Sequence, residues 1–415
     1  MLNIDYIIDN DKEVIEKLKA KGFDIDIDEI KIYSHDRKTI IKAKEDLAFQ
    51  KNQISDKFKS TKNAQDKKKL RDDSQKIEKL ISENKEKLES VELQLKNILL
   101  QLPNIPDRSV PVGDQSENQI LKSWGTPIDN NIDHSDFFMK SLLIDSEAGV
   151  NLAKSRFTVM RGDLVKLQRA LISFMLDFHL HSGYTEYYLP YLVNSDSLIG
   201  TGQLPKFKDD LFSIVDEDLY LIPTGEVPLT GLYKNKIINL NDLPIKMTSH
   251  TPCFRSEAGS YGKDTKGIIR QHQFEKVEIV QIVEPEKAEE SLEDILQSAE
   301  SILESLNLPY RRVLLASGDT GFSASKTVDL EVWLPGQKSY REISSCSIFT
   351  DFQSRRLNIK YKDKDNKKCF PFTLNGSALA IGRTLIALIE NHTRDNVLHI
   401  PQDLQSFYGA DIIKL

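Results

Sequence analysis

A seven-residue repeat between Leu70 and Leu102 restricts the fold of this chain more than any other feature of its sequence. Two seams of mainly apolar residues run through it, and their members are Leu70, Ile77, Asn84, Val91 and Ile98 in one and Ser74, Ile81, Leu88, Leu95 and Leu102 in the other. This spacing is typical of a coiled-coil helix, in which a single polar Asn can fix the register.

The same period is present upstream, at Ile40, Leu47 and Ile54, and the polar segment 60–64 separates the two repeats. A polar break between two helical patterns predicts a turn, so the pattern predicts two antiparallel helices that form an arm. At about 1.5 Å per residue, ~30 residues per helix give a length of ~45 Å. One further amphipathic helix, ending in a turn near Gly22, is predicted for residues 1 to about 30.

The predicted arm carries its own charge. From Lys38 to Lys96 there are 16 Lys and Arg against 11 Asp and Glu, a net charge of +5, although the net charge of the whole chain is −7. A basic, elongated element suits a specific polyanionic partner. On charge alone, a solvated helical face is the slightly better interpretation.

The segment Leu102–Pro106 ends the second helix with two prolines, and the chain up to Asn118 is rich in Pro, Gly, Asp and Ser. The predicted organisation is an N-terminal helical arm domain at 1–102, a linker at 103–120 and a second domain at 121–415. In the second domain, strands are predicted at Leu219–Ile222, Lys276–Val283, Thr327–Trp333 and Phe370–Thr373, and helices at Asp163–His181, Glu286–Leu306 and Ala378–Glu390. Mostly consecutive strands predict an antiparallel α+β domain.

Several classes of protein are disfavoured by what the sequence lacks. It has no P-loop or Rossmann glycine pattern, and no apolar run is long enough to span a bilayer. The start of the chain is polar and helical and does not resemble a signal peptide. Cys253, Cys346 and Cys369 are widely spaced, which argues against structural zinc and for a reducing compartment, so a cytoplasmic location is expected.

The side chains best suited to ligand binding are concentrated in the segment Phe254–Glu278, FRSEAGSYGKDTKGIIRQHQFEKVE. In this segment, Arg255 and Glu257 precede a loop of Gly, Ser and Lys that we expect to be flexible. Phe274 and Glu278 follow the loop. An arginine fork suits a phosphate or carboxylate, an aromatic face suits a nucleobase, and paired carboxylates can order an amine, a hydroxyl or a metal. The segment predicts a site for a nucleotide and a small zwitterion, with a charged surface hairpin as the alternative.

Three segments resemble the signature motifs of class II aminoacyl-tRNA synthetases: Gly183–Pro190 resembles motif 1, Phe254–Glu278 motif 2 and Leu374–Leu385 motif 3. Four further segments extend the resemblance to the bacterial-type seryl-tRNA synthetases, and they are 202–207 (GQLPKF), 224–228 (TGEVP), 330–335 (LEVWLP) and 341–345 (REISS). The seven segments occur in the family's order, and the resemblance covers nearly the whole chain.

The resemblance implies an α+β fold, with an antiparallel coiled-coil arm and a six- or seven-stranded antiparallel sheet flanked by helices. It implies activation of L-serine with ATP and Mg²⁺ to seryl-adenylate and pyrophosphate, without zinc, and transfer of the seryl group to the 3′-terminal adenosine of tRNASer. The arm is expected to bind the long variable arm of tRNASer, and a homodimer is expected to form partly on motif 1. Whether tRNASec is also charged stays open.

The resemblance also implies roles for individual residues. Arg255 is expected to hold the α-phosphate and the serine carboxylate, Arg383 the γ-phosphate, Phe274 the adenine face and Glu257 the adenine edge. The residues expected to bind ATP are Arg255, Ser256, Glu257, Phe274, Glu342, Ile343, Ser344, Ser345 and Arg383, with Mg²⁺ held by Glu342 and Ser345 and catalysis assigned to Arg255, Glu342 and Arg383. The residues expected to bind serine are Thr224, Glu226, Arg255, Glu278 and Ser377.

Three positions depart from the family's usual pattern: Gly225 replaces Ala or Ser, Ala378 replaces Gly, and Ile348 replaces Asn. They spare the charged residues, so activity is still expected, with a loosened pocket or altered sensitivity to serine analogues.

Three alternative functions compete with this one. An amino acid-activating paralogue would use a different acceptor. A catalytically inactive paralogue that binds RNA or a partner would have lost Arg255, Glu278 or Arg383, and all three are present. A ligase that loads a carrier protein would lack the arm and use zinc.

Overall fold

The structure, a computed structural model, describes residues 1–130, 132–135, 137, 143–258 and 268–414. Its residues form two compact units. The helical unit comprises Leu2–Lys19 and Phe23–Leu102, and the sheet unit comprises Met1, Ala20–Gly22 and Pro103–Leu415. Among the described residues, no helix combines the length and the apolar character needed to cross a membrane.

Within the described residues, the α-helices are α1 Ile4–Asp9, α2 Asp11–Ala20, α3 Ile27–Ser60, α4 Ala64–Gln101, α5 Ser146–Leu152, α6 Asp163–His181, α7 Ser195–Thr201, α8 Glu226–Gly231, α9 Ala288–Ser305, α10 Phe352–Leu357, α11 Ile381–His392 and α12 Gln402–Tyr408. The strands are β1 Gln119–Trp124, β2 Ile144–Asp145, β3 Val159–Met160, β4 Thr185–Glu186, β5 Leu192–Val193, β6 Tyr220–Leu221, β7 Ile237–Asn239, β8 Ile245–Phe254, β9 Gln273–Val283, β10 Tyr310–Leu314, β11 Lys326–Leu334, β12 Ser339–Ile348, β13 Lys360–Lys362, β14 Lys368–Cys369, β15 Phe372–Ala380, β16 Thr393–Arg394, β17 Val397–His399 and β18 Ile412–Lys414.

The helical unit begins with two short helices where one was predicted. Asn10 ends α1, because its backbone N–H and its side-chain amide both donate to the Tyr6 carbonyl. Asp11 then begins α2 with acidic residues in the first turn, which suits the positive end of a helix dipole. The prediction of a single helix before Gly22 is therefore wrong.

The helices α3 and α4 confirm the predicted antiparallel coiled coil. They contain 34 and 38 residues, or about 50 and 57 Å at the usual rise of an α-helix. Two ion pairs between the helices show their antiparallel direction: Arg37 pairs with Glu92 at 2.9 Å, and Lys51 pairs with Glu78 at 2.9 Å. The ten predicted seam positions are buried or half-buried, as a heptad requires. The polar seam residue Asn84 donates to the Leu80 carbonyl of its own helix at 2.9 Å.

The main sheet of the sheet unit has the strand order β1-β10-β11-β12-β15-β9-β8-β4. Its neighbouring strands are antiparallel except for the edge pair β4–β8, which is parallel. A sheet of six or seven strands was predicted, and the described sheet has eight because the two-residue strand β4 joins its edge. The α+β architecture itself is confirmed.

An apolar core lies between this sheet and the helices that cover it. Leu167 and Leu171 of α6, Ile295 of α9 and Leu385 of α11 are fully buried in one cluster with Ile279 of β9. Since alternate residues of a strand point to opposite faces, the sheet face away from this core is available for polar side chains. Strands β9, β11, β12 and β15 carry the residues that line the candidate site.

Candidate active site

A cleft of about 920 Å³ in the sheet unit contains most of the predicted site residues. Eight of them line it, namely Thr224, Glu226, Arg255, Glu257, Glu278, Glu342, Ser345 and Ser377. Four others contact residues of the wall. Arg383 contacts Glu342, and Phe274 faces Arg255. Ser344 Oγ donates to the Ser377 carbonyl at 2.5 Å, and the Ser256 N–H donates to the Asp210 carbonyl at 3.0 Å. The Ile343 side chain is instead buried in the apolar core.

A buried polar cluster lies on β9 and its neighbours. Lys276 Nζ forms an ion pair with Glu278 and donates to Thr224 Oγ1 at 2.8 Å. Thr224 Oγ1 in turn donates to Glu278 Oε2 at 3.1 Å, and Asn375 Nδ2 lies 3.3 Å from Glu278 Oε1. A carboxylate held by an ammonium, a hydroxyl and an amide is fixed in place and can still accept from a small ligand's amine or hydroxyl.

Glu226 adds a second buried carboxyl beside this cluster. It begins α8 and is 6% exposed. Burial, and then the negative charge of Glu278, raise the pKa of Glu226 to about 7. Gln353 Nε2 donates to Glu226 Oε1 at 2.6 Å and opposes this shift, since it stabilises the ionised form. Near neutral pH this carboxyl therefore lies close to its midpoint of titration.

Arg255 provides an exposed cation at the end of β8. Its Nε donates to the Pro223 carbonyl at 3.2 Å, and its guanidinium carbon lies 5.3 Å from the centre of the Phe274 ring. Phe274 was expected to hold the adenine face, and in the structure its ring contacts the Arg255 guanidinium. The remaining guanidinium N–H groups suit a phosphate or carboxylate oxygen in the cleft.

Glu257 sits two residues farther on, with a positive backbone φ of 55°. Arg270 Nη1 donates to its carboxylate at 2.7 Å, so that this pair joins the two ends of the motif 2 hairpin. The Gly, Ser and Lys loop that was expected to be flexible, residues 259–267, lies outside the described residues.

Acidic groups line the part of the cleft formed by β11 and β12. Asp329 lies opposite Ser345 in the register of the two strands, and Glu331 lies opposite Glu342. Burial raises the pKa of Asp329 well above its usual value, and the negative charge of Glu342 adds to the shift. Within the described part of the chain, Asp329 Oδ1 is buried without a recorded hydrogen-bond partner. Glu342, Ser345 and Asp329 line the cleft with oxygen atoms of the hard type that Mg²⁺ prefers.

Arg383 is held against this acidic group from α11. Its Nη1 donates to the Glu342 carbonyl at 2.6 Å and lies 3.5 Å from the Glu342 carboxylate. The position of α11 depends on an irregularity in β15, where the pairing with β9 shifts between Ser377 and Ala380 and Leu379 has a φ of 80°. The helix predicted from Ala378 therefore begins only at Ile381.

Sequence reasoning gave no role to four polar residues of this region. Lys276, Asn375 and Asp329 line the cleft, and Gln353 holds Glu226 from α10. The alternation along β9 places Lys276 on the same face as Glu278, and this pattern could have identified Lys276 as a site residue from the sequence. Asn375 lies within the motif 3 segment, whereas no local pattern distinguishes Gln353, which is 127 residues from Glu226.

The three departures from the family's pattern lie in or beside the site. A Cβ at Gly225 would approach the Glu278 Cβ to 3.2 Å, so Gly leaves extra room next to this carboxylate. Ala378 is fully buried, and Ile348 is 5% exposed opposite Leu374 of β15. Gly225 therefore lies directly beside the buried polar cluster.

Comparison with known proteins connects both units to one family. The model of the seryl-tRNA synthetase N-terminal domain matches residues 1–106, and that of the tRNA synthetase class II core domain (G, H, P, S and T) matches residues 207–392. Serine–tRNA ligase from Hydrogenovibrio crunogenus is 48% identical over 96% of this chain and 96% of its own length. Serine–tRNA ligase from Thermodesulfovibrio yellowstonii is 45% identical over the full length of both proteins.

A solved structure leads to the same family. Seryl-tRNA synthetase from Pyrococcus horikoshii, crystallised as a complex with ATP, superposes with a TM-score of 0.90 at 34% identity and covers 100% of this chain and 99% of its own. The chain therefore belongs to the seryl-tRNA synthetases, the serine–tRNA ligases among the class II aminoacyl-tRNA synthetases.

Proposed function

We propose that the chain performs both half-reactions of its family within the described cleft. A carboxylate oxygen of L-serine attacks the α-phosphorus of ATP, the bond from that phosphorus to the bridging oxygen breaks, and pyrophosphate leaves. A ribose hydroxyl of the 3′-terminal adenosine of tRNASer then attacks the seryl carbonyl carbon and releases AMP. The observation that carries this proposal is the buried cluster of Thr224, Lys276 and Glu278 beside the exposed guanidinium of Arg255 in one cleft.

The phosphate roles are assigned to the two arginines. Charge accumulates on the phosphorus oxygens in the transition state, so fixed cations stabilise that state more than the bound substrates. Arg255 is proposed to hold the α-phosphate and the serine carboxylate, and Arg383 the γ-phosphate. Glu342 and Ser345 are proposed to hold Mg²⁺, which supplies positive charge to the phosphates when it is bound.

The nucleoside end of ATP is assigned to the motif 2 hairpin. Phe274 is proposed to hold the adenine face and Glu257 the adenine edge, while Ser256 and backbone groups of Ile343 and Ser344 complete the ATP site. Support comes from the position of Phe274 beside Arg255 and of Glu257 in the cleft wall.

Selection of serine is assigned to the buried carboxyls. Thr224 and Glu226 are proposed to receive the amino group, and Glu278 and Ser377 to address the hydroxyl. A ligand that lacks the hydroxyl leaves these buried groups unpaired, and such sites reject the deoxy analogue by ~10⁴–10⁵. Threonine is proposed to be rejected by lack of room for its extra methyl group.

Recognition of tRNASer is assigned to α3 and α4. Residues 1–102 are proposed to form the tRNA-binding arm domain, 103–120 a linker and 121–415 the catalytic domain. The net charge of +5 between Lys38 and Lys96 supports binding to the backbone of the long variable arm. Whether tRNASec is a second acceptor depends on the same contacts.

Two further elements belong to the proposal. A homodimer is proposed to form partly through motif 1, where Tyr188 exposes 90% of its surface, an unusual degree for an aromatic side chain. The protein is proposed to act in the cytoplasm, which agrees with its three free cysteines.

The test is ATP–pyrophosphate exchange across serine, threonine, alanine, glycine and cysteine, followed by charging of tRNASer. Exchange is expected only with serine, ATP and Mg²⁺ together. Robust exchange with another amino acid, and none with serine, contradicts the assignment. Exchange with serine but no transfer to tRNASer favours the alternative, a paralogue that activates an amino acid for a different acceptor.

A further inference from the structure

Gln353 is a buried residue whose amide is fully used within the protein. It lies on α10 and is 1% exposed. Its Nε2 donates to Glu226 Oε1 at 2.6 Å and lies 3.3 Å from the Thr201 carbonyl. Its Oε1 accepts from the Thr373 hydroxyl at 2.7 Å.

With Glu226 ionised, these partners favour one orientation of the amide. Both groups at Nε2 are oxygens that accept, while the Thr373 hydroxyl at the other end can donate. The reversed amide would place its oxygen against the Glu226 carboxylate and the Thr201 carbonyl. The N–H that faces Glu226 is therefore fixed by Thr373 and Thr201, and no amide group is left to touch a substrate.

We propose that Gln353 is a positioning residue for amino-acid selection: it holds the Glu226 carboxylate as an aimed hydrogen-bond acceptor for the ammonium group of serine. This inference rests on the proposed function, which assigns the amino group to Thr224 and Glu226. Gln353 acts through Glu226 and does not touch the substrate.

The surroundings of Glu226 explain why such a partner is needed. The charged groups that face it are Glu278 and Lys276 of β9, and Arg255 after β8. Burial and Glu278 favour the protonated carboxyl, whereas Gln353, Lys276 and Arg255 favour the ionised one. A protonated Glu226 has lost its negative charge, and one of its oxygens has become a donor, so it binds an ammonium group, which has only donors, less well.

The test compares Gln353→Met with unmodified protein in serine-dependent exchange. Met keeps the approximate volume of Gln and removes the donor. The KM for serine is expected to rise about tenfold to a hundredfold, the range for a lost hydrogen bond to a charged group, while the KM for ATP changes less than about twofold. The rise of kcat/KM for serine with pH is expected to move to higher pH, because Glu226 then ionises less readily.

Two further variants keep the test decisive. Thr373→Val removes the hydroxyl that orients the Gln353 amide, and it is expected to shift the same pH profile by a smaller amount. This variant tests the inference even if Gln353→Met fails to fold. In a Glu226→Gln background, Gln353→Met is expected to add little to the change in the KM for serine, because the acceptor is already gone.

Ser354→Ala is the matched control, since Ser354 is the next residue of the same helix and its buried hydroxyl has no recorded partner among the described residues. It should leave both KM values and the pH profile unchanged. Equal rises in the KM for serine and the KM for ATP, or an unmoved pH profile in Gln353→Met, would overturn this inference and leave the proposed function standing. Absence of serine-dependent exchange in unmodified protein would instead overturn the proposed function, and the inference with it.

Discussion

Lys276 and Glu278 lie two residues apart on one face of β9 and form an ion pair in which the side chains are only 7% and 1% exposed. Two opposite charges out of water stabilise a protein little as a pair, but either one left alone is costly. In the proposed function, the pair keeps the Glu278 carboxylate in place for the serine ligand.

Replacement of Lys276 by Met is expected to lower the free energy of unfolding by about 3–5 kcal/mol, because the buried Glu278 carboxylate loses its cation. Urea denaturation monitored by circular dichroism measures this. Lys234→Met is the control, since Lys234 pairs at 2.6 Å with Asp196, their side chains are 36% and 63% exposed, and exposed pairs contribute about 0–1 kcal/mol. Equal losses in the two variants would show that burial of the pair does not matter.

Arg255→Ala and Arg383→Ala are each expected to reduce the rate of ATP–pyrophosphate exchange at saturating ATP by ~10²–10³, the usual loss when one transition-state charge donor is removed. Circular dichroism should show an intact fold. Arg394→Ala serves as the control, because Arg394 lies on β16 and donates to the neighbouring Thr393 carbonyl. Near-normal exchange in either variant would remove that arginine from the phosphate site.

Glu226→Gln is expected to stabilise the folded protein at pH 8 more than at pH 5. The pKa of Glu226 is raised to about 7 in the folded protein, so its contribution to stability is complete below about pH 4.5 and is lost as the pH rises through 7. At pH 8 the buried charge costs on the order of 3 kcal/mol, which the neutral amide avoids.

Urea unfolding at the two pH values tests this expectation, with Glu289→Gln as the exposed control. An equal stability difference at pH 5 and pH 8 would contradict the raised pKa. The same Glu226→Gln variant should bind serine poorly, because its amide cannot neutralise the ammonium group.

Removal of the outer part of the arm separates the two half-reactions. Lys51 pairs with Glu78, so deletion of residues 51–78 with a short Gly linker preserves the register of the remaining helices. Adenylate formation should stay within about twofold, since the sites proposed for ATP and serine lie in the sheet unit. Charging of tRNASer should fall strongly, and the binding that remains should show a weaker salt dependence because fewer phosphate contacts release counterions.

A filter-binding titration of tRNASer at several salt concentrations, with exchange assayed in parallel, measures both effects. A second deletion of the same length shifts the register of α3 against α4, and it shows how much of the loss in charging comes from damage to the helices. Equal charging by the shortened and complete proteins would place recognition outside α3 and α4.

The parts of the structure that were predictable from the sequence are those encoded locally. The heptad from Leu70 to Leu102 determines which face of α4 is covered, and its partner α3 follows from the same period at Ile40 and Leu47. The strands β9 and β11 were predicted to within three residues, because long runs of alternating apolar side chains have no competing helical pattern.

The unpredictable parts depend on contacts between distant residues or on rare backbone geometry. Leu379 adopts a left-handed φ of 80° inside β15, although its sequence neighbours Ala378 and Ala380 favour a helix. The pairing of Gln353 with Glu226 joins positions that no local periodicity connects. The break between the two short helices before Gly22 coincides with one Asn amide that donates to a backbone carbonyl, and a single Asn in a polar helical segment does not predict a break.

The antiparallel pairing of Arg37 with Glu92 and of Lys51 with Glu78 restricts how the length of the arm can change during evolution. A seven-residue insertion in α3 alone would slide every later seam position past its partner, whereas a matching insertion in α4 restores the fit. Changes in arm length should therefore occur as paired gaps of similar size on both sides of residues 61–63. Alignments of relatives with longer or shorter arms should show those gaps rising and falling together.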